Sequence, residues 1–260
     1  MNQVIWITGA SSGIGAELAK QYSKQGKLLI LSSRRDAELK AVKNSCDYPE
    51  NIKVLPLDLK NFDLMENYVK KALAFFGSID LLINNGGVSQ RSLIAETKFH
   101  VYQELININY LGTLALTKAL LPHFIDQGKG HFAVVTSVMG KFGSPFRSGY
   151  CGAKHALHGF FDVLRMEHQK DNVDVTLICP GFVQTQVTVN ALTGTGEPLD
   201  HDDPGTQNGL EVAHFCQKMI RAIRTKKWEI SFGKKEKIGV FVKRFSQKLL
   251  HAIVIRSDVR

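Results

Sequence analysis

The chain has 260 residues, 44% of them apolar and 22% charged, an ordinary globular composition with length enough for one large domain and core. Four cysteines without a C-x-x-C pair or a paired histidine spacing argue against a structural zinc site, so reduced thiols and no metal are predicted. The formal charge of +9 is lopsided: residues 218–260 hold 13 Lys or Arg against 3 Asp or Glu, whereas residues 1–217 hold 20 against 21, which places the basicity in the C-terminal segment.

The opening MNQVIWITGA enters a strand pattern at once. It leaves no room for a signal peptide, and no apolar run approaches 18 residues, so a cytoplasmic protein without a membrane span is expected. Predicted strands follow at 3–8, 27–33, 52–58, 79–85, 131–137 and 174–180, with helical patterns between them such as 16–26 and 61–77. Strands apolar almost throughout are buried on both faces, which predicts an α/β, doubly wound Rossmann fold with a central parallel sheet of about seven strands. Ligands in that architecture bind beyond the carboxyl ends of the strands. A single domain is expected: a cofactor and catalytic core over 1–185, a substrate loop and helix over 186–227, and a last strand (228–233) with a basic tail to 260. The loop 186–210 is rich in Gly, Thr, Asp and Pro, and its length suits a lid.

The first strand runs into TGASSGIGAELAK, residues 8–20. Gly9, Gly13 and Gly15, with Ser11, Ser12 and Ile14 between them, make a strand–turn–helix whose backbone N–H groups can approach a pyrophosphate. A tight turn without a ligand is the plainer reading of glycines alone. At the end of the second strand, Ser33 takes the position where an acidic residue would favour a free ribose 2′-hydroxyl, and Arg34 and Arg35 follow. A hydroxyl and two guanidiniums suit a 2′-phosphate, and hence NADP(H); a solvated helix start is the alternative. Asp58, next to Leu59, suits either the adenine amino group or a helix N-cap. Asn84-Asn85-Gly86-Gly87 forms a turn after the fourth strand. Tyr150 and Lys154 stand at i and i+4 on one predicted helix, which stacks an ammonium near a phenol. A neighbouring cation favours the phenolate and lowers a tyrosine pKa that is otherwise near 10.

TGASSGIG, NNGG, Asn109 in ININYLG, Ser137 in VVTSVMG, Y-x-x-x-K at 150–154 and PGFVQT at 180–185 resemble the short-chain dehydrogenase/reductase family in order and spacing. NNGGVSQRSL with SGYCGAKHALHGFF looks like its dehydrogenase/reductase member 7 branch, near the 11β-hydroxysteroid dehydrogenase-like enzymes. Two departures are NNGG in place of the commoner NNAG and the expected lack of the N-terminal membrane anchor of vertebrate relatives. The resemblance implies that Tyr150 exchanges a proton with the substrate oxygen while hydride moves to or from nicotinamide. Ser137 would polarise that oxygen and Lys154 hold the nicotinamide ribose. Asn109 would fix a helix bend and a proton-relaying water. Pro180 and Gly181 would turn the chain, with Val183 and Thr185 meeting the carboxamide.

Met139, Phe146 and Phe182, with Phe142 and the segment Val88–Ser92, are the predicted walls of an apolar substrate pocket, although core packing is an equal alternative for these aromatics. The expected substrate is a hydrophobic ketone or secondary alcohol (steroid-, retinoid- or lipid-like). The alternative function is a non-catalytic dinucleotide-binding sensor of the same fold. Nucleic-acid binding is not expected, because the basic tail lacks a recognition motif. The tail, 234–256, is open to three roles: peripheral membrane contact, packing on the domain, or a subunit interface. Family members suggest a homodimer or homotetramer.

Overall fold

A computed structural model describes residues 3–201, 203–233 and 235–256; positions 1–2, 202 in the predicted loop, 234 in the predicted tail and 257–260 lie outside them. In chain order the elements are β1 (Val4–Thr8), α1 (Gly13–Lys24), β2 (Leu28–Ser32), α2 (Asp36–Asn44), β3 (Ile52–Val54), α3 (Met65–Phe76), β4 (Leu81–Asn84), α4 (Phe99–Ile106), α5 (Gly112–Asp126), β5 (Gly130–Val135), α6 (Ser148–Glu167), β6 (Val173–Pro180), α7 (Pro204–Gln207), α8 (Val212–Arg224), β7 (Glu229–Phe232), α9 (Glu236–Phe245) and α10 (Gln247–Arg256).

The seven strands form one parallel sheet in the order β3-β2-β1-β4-β5-β6-β7. Period-two alternation divides each strand between two cores. Val4 and Trp6 of β1 face α3, α5 and α6, where Val69, Leu120, Phe124 and Phe161 pack. Ile5 and Ile7 face α1, α2 and α8, where Leu18, Leu39, Phe215 and Met219 pack. The strand order reverses between β1 and β4, and a crevice opens above their carboxyl ends.

All strands but β6, which gains a residue at its start, are one to four residues shorter than predicted. The largest difference is β3, expected to reach Asp58. Regular pairing stops at Val54, although Leu55 N and Leu57 N still donate to Leu31 O and Ser33 O at 2.9 Å each; Pro56 between them turns its missing N–H to the free edge of the sheet, where proline is tolerated. The loop after β6 is not structureless: α7 sits inside it, and Arg91 N, on the segment after β4, donates to Leu192 O at 2.8 Å. The tail folds as α9 and α10 and packs on the body. Gly239 of α9 lies against the Phe142 ring, and Leu250, Val138 and Phe142 make a small core of their own. Phe241, Phe245 and Leu249 remain on its exposed outer face. No helix among the described residues is long and apolar enough to cross a membrane.

Candidate active site

The crevice above β1 and β4 is an open cleft of about 440 Å³. The turn from β1 into α1 forms its floor. Gly9 and Gly13 have φ of +63° and +53°, the left-handed region that a side chain disfavours. A Cβ on Gly15 would stand 2.3 Å from Gly9 O, so helix and strand meet there with no room for more than hydrogen. Thr8 Oγ1 accepts from Asn85 N and Gly86 N at 3.0 Å each, and Asn85 Nδ2 donates to Thr8 O at 3.0 Å and Gly9 O at 3.2 Å. Those bonds clamp the two strand ends beside each other.

At the adenosine side, Arg35 Nη2 donates to Ser11 Oγ at 2.9 Å and Ser12 Oγ at 3.0 Å, and Ser33 Oγ accepts from Arg35 N at 3.1 Å. Arg35, and not Arg34, is therefore the guanidinium laid across the glycine turn, although both line the cleft. Asp58 lines it as well, while its Oδ1 accepts from Lys60 N at 3.0 Å, the local turn bond of the plainer reading. Leu59, Gly86 and Gly87 continue this wall.

Asn109 lies in a π-helical turn, Asn107–Leu111, between α4 and α5, a wider coil that often marks a functional position. Its carboxamide is spent on backbone: Oδ1 accepts from Val88 N at 2.9 Å and Nδ2 donates to Val88 O at 3.0 Å. Ser137 caps the short turn after β5, accepting from Met139 N at 3.0 Å and donating to Pro180 O at 3.3 Å. Its hydroxyl also acts to lower the proton affinity of the Tyr150 phenol. Lys154, one turn along α6, is buried and donates to Val135 O at 2.8 Å, with its Nζ 5.7 Å from the Tyr150 ring centroid. On the far side, Thr185 faces Gly13, and a Cβ on that glycine would meet Thr185 Cγ2 at 3.1 Å. Pro180, Gly181 and Val183 line the same edge.

Burial pushes the Tyr150 phenol up, and the opposing influences are the Ser137 hydrogen bond and the charges of Arg91 and Arg147. Burial also pulls Lys154 itself down to about 8.

Of the predicted substrate walls, Ser137 and Tyr150 line the cleft and Met139, Phe146 and Phe182 do not. Phe142 is core against the tail, and the Phe182 ring packs on Gly205 beneath the Arg147 guanidinium, 5.6 Å from ring centroid to Cζ. Val88, Val187, Leu192 and Pro198 supply the apolar lining instead. Sequence reading also missed Gln90, fully buried, whose Oε1 accepts from Gly149 N at 2.8 Å and Tyr150 N at 3.3 Å and so caps α6 at the tyrosine. No local pattern marks a glutamine 60 positions from the helix it caps.

His158, Cys179 and Glu229 bring potential metal-ligand atoms within 4.8 Å of one another, a grouping no sequence spacing announced. The two imidazole nitrogens face different partners, Cys179 Sγ at 3.9 Å and Glu229 Oε2 at 3.4 Å, and Lys141 pairs with the same carboxylate oxygen at 2.5 Å. The thiol and the carboxylate thus meet opposite nitrogens of one ring, and Nδ1 lies near Glu229 without a hydrogen bond to it.

Comparison with known proteins agrees with this arrangement. The short chain dehydrogenase family matches residues 3–195. Human dehydrogenase/reductase SDR family member 7 is 49% identical over 199 residues, 74% of this chain and 59% of the human protein's length. The Drosophila melanogaster SDR family protein 7-like is 36% identical over 266 residues, covering 99% of this chain and 81% of the fly protein. A short chain dehydrogenase/reductase from Burkholderia phymatum, solved in complex with NAD, superposes with a TM-score of 0.85 at 21% identity over 95% of each chain. An alcohol dehydrogenase from Thermococcus sibiricus, complexed with 5-hydroxy-NADP, gives 0.76 at 24% identity over 90% of this chain and 97% of the other. At such identities the likeness is one of fold. With the family match spanning most of the chain and the catalytic-type residues gathered in one cleft, the chain belongs to the short chain dehydrogenase family of oxidoreductases, near its dehydrogenase/reductase member 7 branch.

Proposed function

We propose that this chain is an NADP(H)-dependent oxidoreductase that moves a hydride between nicotinamide and a carbonyl or secondary alcohol on a hydrophobic substrate. The observation that carries the reading is the convergence of Ser137, Tyr150 and Lys154 on the same cleft as the glycine turn. A dinucleotide fits that cleft by its donor set. The backbone of Gly13–Gly15 and the start of α1 suit the pyrophosphate, and Arg35 with Ser11, Ser12 and Ser33 suits a 2′-phosphate. Lys154 suits the nicotinamide ribose, and Val183 with Thr185 suits the carboxamide. Nicotinamide, when bound, supplies or accepts the hydride.

The protein's own residues handle the proton. Ser137 orients and polarises the substrate oxygen, and Tyr150 donates its hydroxyl proton to that oxygen in reduction and takes it back in oxidation. Asn109 keeps the Val88 backbone, part of the substrate wall, against the π-turn. The apolar lining from Val88, Val187, Leu192 and Pro198 favours a steroid-, retinoid- or lipid-like carrier. Assembly as a homodimer or homotetramer belongs to the same reading and is tested by sedimentation.

A screen of hydrophobic ketones and alcohols followed by nicotinamide absorbance tests the activity. Tyr150→Phe is expected to lower kcat/KM by about 10³-fold while leaving NADPH binding intact; equal turnover by the variant rejects the mechanism. NADPH is expected to bind more tightly than NADH, with Arg35→Ala narrowing the gap. Tight NADPH binding with no turnover across the screen would favour a dinucleotide sensor.

A further inference from the structure

Helix α9 of the C-terminal tail meets the edge of the cleft, and no step above uses it. Glu236, Gly239 and Lys243 stand at i, i+3 and i+7, which places them on one helical face. That face meets two loops that leave the carboxyl ends of strands. Lys243 Nζ donates to Lys141 O, on the segment after β5. Gly239 lies against the Phe142 ring of the same segment. Glu236, in the first turn of α9, reaches the loop after β6, where its Oε1 accepts from Phe182 N at 3.1 Å.

The loop needs that acceptor. Up to Gly181 the main chain is held by the sheet: Pro180 is in register with Phe232 of β7, and Gly181 N donates to Phe232 O at 2.7 Å. β7 ends at Phe232, so the next amide, Phe182 N, has no strand to meet. A main-chain N–H left unbonded away from water costs about as much as a lost hydrogen bond. Glu236 satisfies it with a carboxylate, a stronger acceptor than a carbonyl. The same side chain packs on Gly181, where a Cβ would stand 3.0 Å from Glu236 Oε1 and 3.2 Å from its Cδ. Beyond this point Leu210 takes over, with Leu210 N donating to Phe182 O and Gln184 N to Leu210 O at 2.9 Å each.

Gly181 and Val183, on either side of Phe182, both line the cleft. We propose that Glu236 is a positioning residue for the nicotinamide end of the dinucleotide. By holding Phe182 N it fixes the main chain from Gly181 to Val183, so the tail completes the cofactor site. The proposal rests on the reading of this cleft as an NADP(H) site with Val183 at the carboxamide. The adenosine end is built differently: Arg35 bonds Ser11, Ser12 and Ser33, all of them before β3. Losing the Glu236 bond should therefore be felt at one end of the cofactor and not at the other.

Calorimetric titration of the full-length protein with NADPH, and with adenosine 2′,5′-bisphosphate as the adenosine end alone, separates the two ends. Glu236→Ala removes the acceptor and is expected to weaken NADPH binding by about 10-fold, with the bisphosphate within about twofold of the parent. Glu236→Gln keeps an oxygen for Phe182 N and is expected to hold NADPH affinity within about threefold of the parent. Glu236→Asp, whose shorter side chain draws the carboxylate away from Phe182 N, should lose as Glu236→Ala does and serves if that variant does not fold. In turnover, KM for NADPH should follow the same order.

A general loosening of the fold would weaken both ligands together. Equal losses for the two ligands, or no loss in Glu236→Ala, overturn the proposal. So does a Glu236→Gln variant as weak as Glu236→Ala, because the effect would then lie in the charge of the tail rather than in the bond to Phe182. Failure of the parent to bind NADPH rejects the cofactor reading and this proposal together. Parent binding that Glu236→Ala leaves intact rejects the role of Glu236 alone.

Discussion

The chain up to β6 and the chain after it build the same cleft by different means. From β1 to β6 most of the cleft's groups are delivered by main-chain pairing: a strand ends, and Gly9, Asn85, Ser137 or Gly181 follows within two residues. After β6 the chain wraps the cleft from outside; β7 still pairs in the sheet and Arg91 N bonds Leu192 O, but the substrate loop and tail are also pinned by side chains. Asp203 grips Arg91, Glu236 Oε1 accepts from Phe182 N at 3.1 Å, and Gly239 lies on the Phe142 ring. Main-chain register is repeated along a strand and tolerates little slip. A side-chain tether fixes one point and leaves its neighbours freer.

The sharpest way to break that comparison is to add one methyl group to each half. In the first half, Gly15→Ala puts a Cβ 2.3 Å from Gly9 O and 2.8 Å from Asn85 Nδ2. The nearest obstacle is backbone at a strand end and cannot rotate away, so turn and helix must separate. The expected result is a loss of about 100-fold in NADPH affinity, with stability lower by about 2–3 kcal/mol. Calorimetric titration and thermal unfolding measure the two. Near-parent affinity would mean that the turn has slack the geometry denies.

Lys154→Met tests how far function opposes stability where α6 meets the end of β5. Buried Lys154 has its pKa lowered from 10.5 to about 8, so the unfolded chain binds more protons between those values and stability rises with pH through that window. Below about pH 8 the buried ammonium carries its full penalty. Methionine keeps most of the volume and removes the charge, but leaves the Val135 carbonyl without its donor. At pH 7 the variant is expected to be inactive yet more stable by about 1–2 kcal/mol, the gain shrinking from pH 8 to 10.5. Denaturant melts across that range would show it, and a variant less stable than the parent at pH 7 contradicts it.

The same contrast explains what could be read in advance. Gly9, Gly13, Ser137 and the Tyr150–Lys154 pair were visible because each sits next to a strand end or within one helical turn of a partner, where spacing encodes position. Asp203 was not, since its partner Arg91 is 112 positions away and it lies in a loop whose Gly, Asp and Pro content describes flexibility rather than contact. Phe142 and Phe182 were expected to face substrate and pack instead on Gly239 and Gly205, because an exposed helix and a loop with small residues offered those rings a surface no strand pattern predicts. The nearness of Lys154 to Tyr150 was legible in i, i+4 spacing, which places two side chains on one face, whereas the bond of the same amine to Val135 O, 19 positions away, was not.

Gly239→Ala is the counterpart of Gly15→Ala in the second half. Its Cβ would meet Phe142 Cζ at 2.9 Å and Cε1 at 3.0 Å, a contact nearly as close as the one with the Asn85 side chain, but here every near atom belongs to a side chain. The ring can tilt against Leu250 and Val138, with which it shares the small tail core. Two contributions then oppose each other: overpacking, which costs about 1–2 kcal/mol, and the gain from replacing glycine inside α9, about 1 kcal/mol. The expected net change in unfolding free energy is within about 1 kcal/mol of the parent, with NADPH affinity unchanged. A loss matching that of Gly15→Ala would show that the tail is seated as rigidly as the strand ends, and that side-chain tethers in this fold fix position as firmly as main-chain register does.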